Sequence, residues 1–283
     1  MARMSRAEKW MHPWNLPHRG DTELKDLGLT IVTLFYNDVE RLDRMFNLWK
    51  SYPDEVKDCT SILIVDDCSK EPIHHVVEQR KDKIDFNLTM YRVTDDLKWN
   101  MPGAWNLGIT QAPTDWVVNV ASDCCFDIEN MTKLLTLKPR TKDIYKFYRR
   151  RITNNPDANL REGQPHSEVF LQHKDTFLKI GGFDEDFTGE RSGGYAIFEI
   201  YFNHKFVKMK VPYGVIRDVE MIEYLEDITG GSVQLTEFAR GMKETLVGNN
   251  RRLWRDKING VVPEKDKSHM IRFKWEKVFE VKR

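Results

Sequence analysis

Three segments of the chain share one pattern of apolar and polar positions. Leu29-Thr-Ile-Val-Thr-Leu-Phe35 is a near-continuous apolar run that ends in Tyr36, Asn37 and Asp38. Ile62-Leu-Ile-Val65 is a second, followed at once by Asp66 and Asp67. Trp116-Val-Val-Asn-Val-Ala121 is a third, ending in Ser122 and Asp123. Short, β-branched runs of this kind predict strands buried on both faces. We place strands at 29–35, 61–65, 86–93 and 116–121. Between the first two, apolar residues at 39, 42, 45, 46 and 49 have helical spacing, with Asp38 as N-cap. A second helix is expected over 72–82. A third is expected over 100–112, opened by a cap-like Asn100 with Pro102 in its first turn and Pro113 past its end. Alternating strands and helices predict a parallel, right-handed, doubly wound α/β sheet.

The second half reads differently. Strands are expected near 144–149, 168–173 and 206–211, around a Gly-rich loop at 181–194. Residues 213–283 carry an acidic patch (Asp218, Glu220, Glu223, Glu226, Asp227), a predicted helix over 233–247 and a basic, aromatic tail with Trp254, Phe273 and Trp275. Three parts are therefore expected: an N-terminal arm over 1–27, an α/β domain over 28–212 and a helical, basic extension over 213–283.

Composition narrows the class. The chain has 283 residues, 40% hydrophobic and 31% charged, in the range of a globular protein. Lys plus Arg equals Asp plus Glu at 44 each, so no overall field draws it to nucleic acid or membrane. No apolar run reaches the ~18 residues of a membrane span, and the first ten residues lack the apolar stretch of a signal peptide. Cys59, Cys68, Cys124 and Cys125 have neither zinc-ligand spacing nor a disulfide framework, and the adjacent pair reads as small buried residues. A reduced, cytoplasmic setting is the expectation.

The chemistry begins at the strand ends. A carboxylate buried without a partner costs several kcal/mol, so Asp66 and Asp67 belong at the edge of the sheet with donors nearby. The carboxyl ends of parallel strands are where open α/β sheets bind ligands. Carboxylates there accept hydrogen bonds from a base or a ribose.

In order along the chain, Thr33-Leu-Phe-Tyr-Asn37, Val65-Asp-Asp-Cys-Ser69, Gly103-Ala-Trp-Asn-Leu-Gly108, a strand ending in Ser122-Asp123 and Gly181-Gly-Phe-Asp-Glu185 resemble the motifs of family-two nucleotide-sugar glycosyltransferases with a GT-A fold. The matches span roughly 28–212. The resemblance implies an inverting transfer of a sugar from a UDP- or GDP-linked donor to a hydroxyl acceptor. Thr33, Tyr36, Asn37, Asp66, Asp67, Asn100, Asn106 and Ser122 then hold the nucleotide, with Tyr36 stacking on the base. Trp105 stands where the family has Arg. The family holds Mn²⁺ or Mg²⁺ with Asp-x-Asp; here Ala121 replaces the first acid and Asp123 keeps the second, so Asp123 is the expected metal ligand. The family's catalytic acid pair falls on Phe198 and Glu199, making Glu199 the expected base, with apolar neighbours that favour a raised pKa. Glu190 and Asp184 are reserve candidates, His166, His173 and His204 possible supports, and the Gly189–Gly194 region a possible lid.

The acceptor stays open at this level, with a glycan ahead of a modified DNA base. The basic, aromatic runs at 138–151 and 251–283 are what keeps DNA in view. Two other readings remain. One is a non-catalytic relative that binds nucleotide or saccharide, since one metal acid and one acid of the pair are missing. The other is a nucleotidyltransferase, against which no Gly-rich phosphate loop follows the first strand.

Overall fold

The computed structural model describes residues 20–97, 100–153, 165–166, 168–188, 197–225 and 246–283. Nine strands form one sheet: β1 (Leu29–Phe35), β2 (Thr60–Asp66), β3 (Asn87–Val93), β4 (Trp116–Asn119), β5 (Cys124–Cys125), β6 (Ile144–Ile152), β7 (Phe170–His173), β8 (Tyr213–Tyr224) and β9 (Trp275–Val281). Their order is β5-β8-β6-β7-β4-β1-β2-β3-β9. The β3-β2-β1-β4 half is wholly parallel. β7 enters antiparallel beside β4, and β9 antiparallel beside β3. The parallel pairing of β1, β2 and β4 brings the ends of all three apolar runs to the same edge.

Nine helices are described: α1 (Leu24–Leu27), α2 (Val39–Ser51), α3 (Asp54–Cys59), α4 (Ile73–Glu78), α5 (Met101–Gln111), α6 (Ile128–Leu135), α7 (Lys174–Ile180), α8 (Ile197–Lys208) and α9 (Leu246–Ile258). Strand alternation assigns the two layers. Ile31, Phe35, Ile62 and Ile64 face one core with Leu42, Met45, Phe46 and Trp49 of α2. Val32, Leu63 and Val65 face the other with Ala104, Trp105 and Leu107 of α5 and Tyr201 and Phe202 of α8. Trp105 is therefore a core residue, fully buried. Gly108 shows why α5 carries glycine: a Cβ there would lie 2.4 Å from Val32 Cγ1, so the helix could not seat on β1.

Several expectations change. Asp38 does cap α2, accepting from Arg41 N at 3.2 Å. Asn100 sits at the α5 N-cap position, but its side chain makes no cap and turns elsewhere. The expected strand at 206–211 is instead the last turns of α8 and the turn after it; the strand is β8, which begins at Tyr213. The helix expected over 72–82 stops at Glu78. Residues 213–224 and 275–281 are strands of the central sheet. The described part of the N-terminal segment packs on the end of α6, with Leu24 buried and Leu24 N donating to Leu137 O. Residues 189–196 and most of the expected 233–247 helix lie outside the described residues. No described helix is long and apolar enough to cross a membrane.

Candidate active site

The carboxyl ends of β1 and β2 build the first half of the site. Asp66, the last residue of β2, is fully buried. Its Oδ1 accepts from Ser69 N at 2.8 Å and its Oδ2 from Ile73 N at 3.1 Å, and it pairs with Arg92 of β3. These donors compensate the buried charge and fix the loop that leads into α4. Asn37 completes that loop. It lies in the left-handed region at φ 53°, its N donates to Ser69 Oγ at 2.9 Å, and its Oδ1 accepts from Lys70 N at 2.8 Å. Asp66 and Asn37 thus shape the crevice with their side chains already engaged.

Asp67 is the acid left to meet a ligand. One oxygen accepts from Asn100 Nδ2 at 3.1 Å. Burial pushes its pKa up to about 7; the Asn100 bond opposes this, and the Asp66 and Asp96 charges add to it. Tyr36 stands beside it, 46% exposed, at the mouth of the crevice. Thr33 Oγ1 is buried with no hydrogen-bond partner among the described residues. Asn106 is placed differently from the expectation. Its Nδ2 donates to Phe183 O and Glu185 Oε1, both at 2.9 Å, and its Oδ1 accepts from Phe183 N at 2.9 Å. The whole amide therefore clamps the Gly181–Glu185 loop and has nothing left for a nucleotide. Gly182, at φ 58°, lets that loop approach: a Cβ there would lie 2.7 Å from Asn106 Oδ1.

The second half of the site lies past β4. Ser122 Oγ meets Arg41 Nη1 at 3.5 Å. Asp123, Cys124 and His166 offer ligand atoms within 4.8 Å of one another. Cys124 is not a ligand here. Burial and the Asp123 charge hold its thiol protonated, and it donates to Asp123 Oδ1 at 3.3 Å. His166 Nδ1 accepts from Glu168 N at 3.1 Å, so in the neutral ring the proton sits on Nε2. Burial lowers its pKa against the pull of Asp123 and Glu223. Asp123 is the group with the chemistry for a hard cation: a partly exposed carboxylate whose Oδ1, among the described residues, meets only a thiol.

Glu199, on the first turn of α8, is fully buried, and neither oxygen has a donor among the described residues. Its neighbour is Glu168. Burial, and then the Glu199 carboxyl, push the Glu168 pKa well up. Two carboxyls this close disfavour a second negative charge, which keeps a proton on Glu168 more readily than on an isolated carboxyl. Lys146 of β6 lies buried near the pair, its Nζ 4.6 Å from the centre of the Phe170 ring, and burial lowers its pKa to about 8 against the pull of Glu199.

The reserve candidates fare otherwise. Asp184 caps a short turn through Asp186 N at 3.0 Å and pairs at 2.8 Å with Lys257 of α9, which neutralises it. Glu190 lies outside the described residues. His173 stands against Trp116, at the opposite end of β4. His204 stacks on Tyr201. Glu168, Lys146 and Glu223 were not foreseen as site residues. They come together only through the β6–β7–β8 pairing, which no local pattern announces.

The comparisons with known proteins give the family and the fold. The profile of glycosyl transferase family 2 matches residues 30–200. No curated protein sequence matches the chain. Among solved structures, the mannosyltransferase PcManGT from Pyrobaculum calidifontis, in complex with GDP-Man and Mn²⁺, is similar at 16% identity and a TM-score of 0.58, over 89% of this chain and 70% of that one. S. aureus TarS 1-349 with UDP-GlcNAc is similar at 15% identity and a TM-score of 0.53, over 86% and 69%. GalNAc-T7 with UDP, GalNAc and Mn²⁺ is similar at 11% and 0.52, over 70% and 44%. Against a further structure of the TarS fragment the chain spans 60% of its length. These likenesses establish the fold, and the family profile covers more than half of the chain. The chain belongs to glycosyl transferase family 2 and has the GT-A glycosyltransferase fold.

Proposed function

We propose that the protein is an inverting glycosyltransferase that moves a sugar from a UDP- or GDP-linked donor to a hydroxyl of a glycan. The observation that carries this reading is the buried Glu199 carboxyl, without a donor of its own, in the same cluster as His166 and Asp123 at the edge of the parallel half-sheet. The base and ribose lie along Tyr36 and Asp67, with Asn100 orienting the Asp67 carboxylate. Asp123, together with the donor's phosphates, is the group to hold Mn²⁺ or Mg²⁺, which supplies positive charge to the departing diphosphate. Glu199 takes the proton from the acceptor hydroxyl as it attacks, with the Glu168 carboxyl beside it. A single displacement needs no nucleophile from the enzyme.

The solved relatives named above were captured with GDP-Man, UDP-GlcNAc or UDP, two of them with Mn²⁺, which supports a diphosphate donor and a divalent cation here. A glycan acceptor is favoured over DNA by the fate of the basic runs. Arg140 pairs with Asp143, Arg151 with Glu223, and Arg150 with Glu220 and Asp127. Arg272 pairs with Asp186, and Arg283 with Asp54 and Asp58. Phe273 is buried, and a Cβ on Gly103 would touch its ring. Cations and rings engaged in this way are a poor phosphate track. The test is incubation with a panel of UDP- and GDP-sugars and glycan acceptors, scoring released nucleoside diphosphate and the anomeric configuration of the product. Inverted product supports the reading; retention, or no donor consumed in any combination, contradicts it.

A further inference from the structure

Arg149 is the third basic residue of the site region, and its surroundings differ from those of its neighbours. Beyond a shift in register between Phe147 and Tyr148, β6 pairs Arg149 with Met221 and Arg151 with Glu223 of β8. On its other side β8 pairs Glu223 with Cys124 of β5, the residue next to Asp123. Glu223 is therefore flanked by the two arginines and by the start of the metal-ligand segment, and His166 Nε2 faces it at 3.7 Å. Register irregularities of this kind re-aim side chains beside active sites.

The three consecutive arginines divide their work. Arg151 Nε is bound to Glu223 Oε2 at 2.6 Å. Arg150 turns outward to Glu220 and Asp127. Arg149 reaches Glu223 Oε1 through Nη1 at 3.3 Å, while its Nε is buried and has no acceptor among the described residues. Its side chain is 14% exposed. Burial lowers its pKa, and the Glu223, Cys124 and Asp123 side chains lie close enough to pull it back. Two arginines share the one Glu223 carboxylate, close to Asp123. A desolvated guanidinium with an unused N–H is costly to hold, and a phosphate oxygen satisfies it with a charge-assisted bond.

We propose that Arg149 binds the diphosphate of the donor, bridging it to Glu223, and so stabilises the leaving group where Ala121 has removed one acid of the metal motif. This rests on the nucleotide-sugar reading above. Glu223 keeps the guanidinium plane in place, and Nε is the donor offered to the phosphate. Lysine offers one compact ammonium in place of the planar fork, so it does not reproduce the spaced donors that hold both partners here.

The test is calorimetry in EDTA with UDP, GDP and the matching nucleosides, so that the added affinity of the diphosphate over the nucleoside is read without metal. Arg149→Met should cut that ratio about tenfold, the scale of one charge-assisted bond. Nucleoside affinity should stay within about twofold. Arg149→Lys, which keeps the charge opposite Glu223, should still lose about threefold and guards against misfolding of the Met variant. An unchanged ratio in both variants overturns the proposal, as does an equal loss for nucleoside and diphosphate, which would mark a structural role. If the wild-type protein binds none of the four, the nucleotide-sugar reading itself fails, and this proposal with it.

Discussion

Asn100 Nδ2 donates to Asp67 Oδ1 at 3.1 Å, joining the start of α5 to the end of β2 across the mouth of the crevice. The bond holds a carboxyl that burial keeps on the edge of ionisation, with its pKa near 7. Between about pH 4 and pH 7 the folded protein retains a proton here that the unfolded chain has released. Stability therefore declines as pH rises through that window. Asp67→Asn should remove the decline and stabilise the protein at pH 8 by on the order of 2 kcal/mol, with the gain vanishing toward pH 4. Thermal melts across pH measure it. Parallel pH profiles for the two proteins would show that Asp67 is not the titrating group.

The same group links pH to ligand. Donor N–H and O–H groups favour the ionised carboxylate, so nucleoside diphosphate affinity should rise as pH increases from 6 to 8. Asp67→Asn should weaken binding by roughly 1.5–3 kcal/mol and flatten that dependence. Calorimetry at three pH values decides it, and a flat wild-type profile would count against Asp67 as a contact.

Asp66 predicts a different phenotype from its neighbour. Its oxygens accept from Ser69 N and Ile73 N and pair with Arg92, all inside the fold. Asp66→Ala should cost about 3–5 kcal/mol of stability, because it strands the arginine and two backbone donors. Urea unfolding reads this directly. A variant as stable as wild type, with only nucleotide affinity lost, would return Asp66 to the ligand.

Asp123→Asn and EDTA should act on the same step. Each should abolish or strongly lower turnover, Mn²⁺ or Mg²⁺ should restore the EDTA-treated protein, and the melting temperature should barely move, because Asp123 is partly exposed and, among the described residues, is bonded through a thiol and its own backbone. Full activity in EDTA would shift the burden of the leaving group to side chains.

The parallel half of the fold was legible because β1, β2 and β4 are buried on both faces, and such strands write themselves as continuous apolar runs. The stretch Phe206-Val-Lys-Met-Lys-Val211 misled for a related reason. Its apolar and polar residues alternate like a strand, yet Phe206 belongs to the apolar face of α8 with Phe202. β8 was hidden by its acids: Glu220 points outward to Arg150 while Glu223 turns inward to Arg149 and Arg151, so the segment reads as a charged patch. In the site, strand-end polarity placed Asp67 and Asp123 just past β2 and β4, where they lie. It could not separate Asp66 from Asp67, because the difference lies in Arg92, 26 residues on. Nor could it place Asn106, whose partners are 77 and 79 residues away.

The most direct test of the account is the turnover of Glu199→Gln beside that of Glu168→Gln. Both replacements keep shape and hydrogen-bonding capacity in a buried pair. Burial and the Glu199 carboxyl favour a proton on Glu168, so its amide should change kcat by less than about tenfold. In the proposed mechanism Glu199 is the base, so its amide should lower kcat by roughly 10²–10⁴-fold. Affinity for the donor nucleotide should be unchanged in both, because the base acts on the acceptor. Near-wild-type turnover in Glu199→Gln, with the donor still consumed, would contradict the assignment and with it the proposed mechanism.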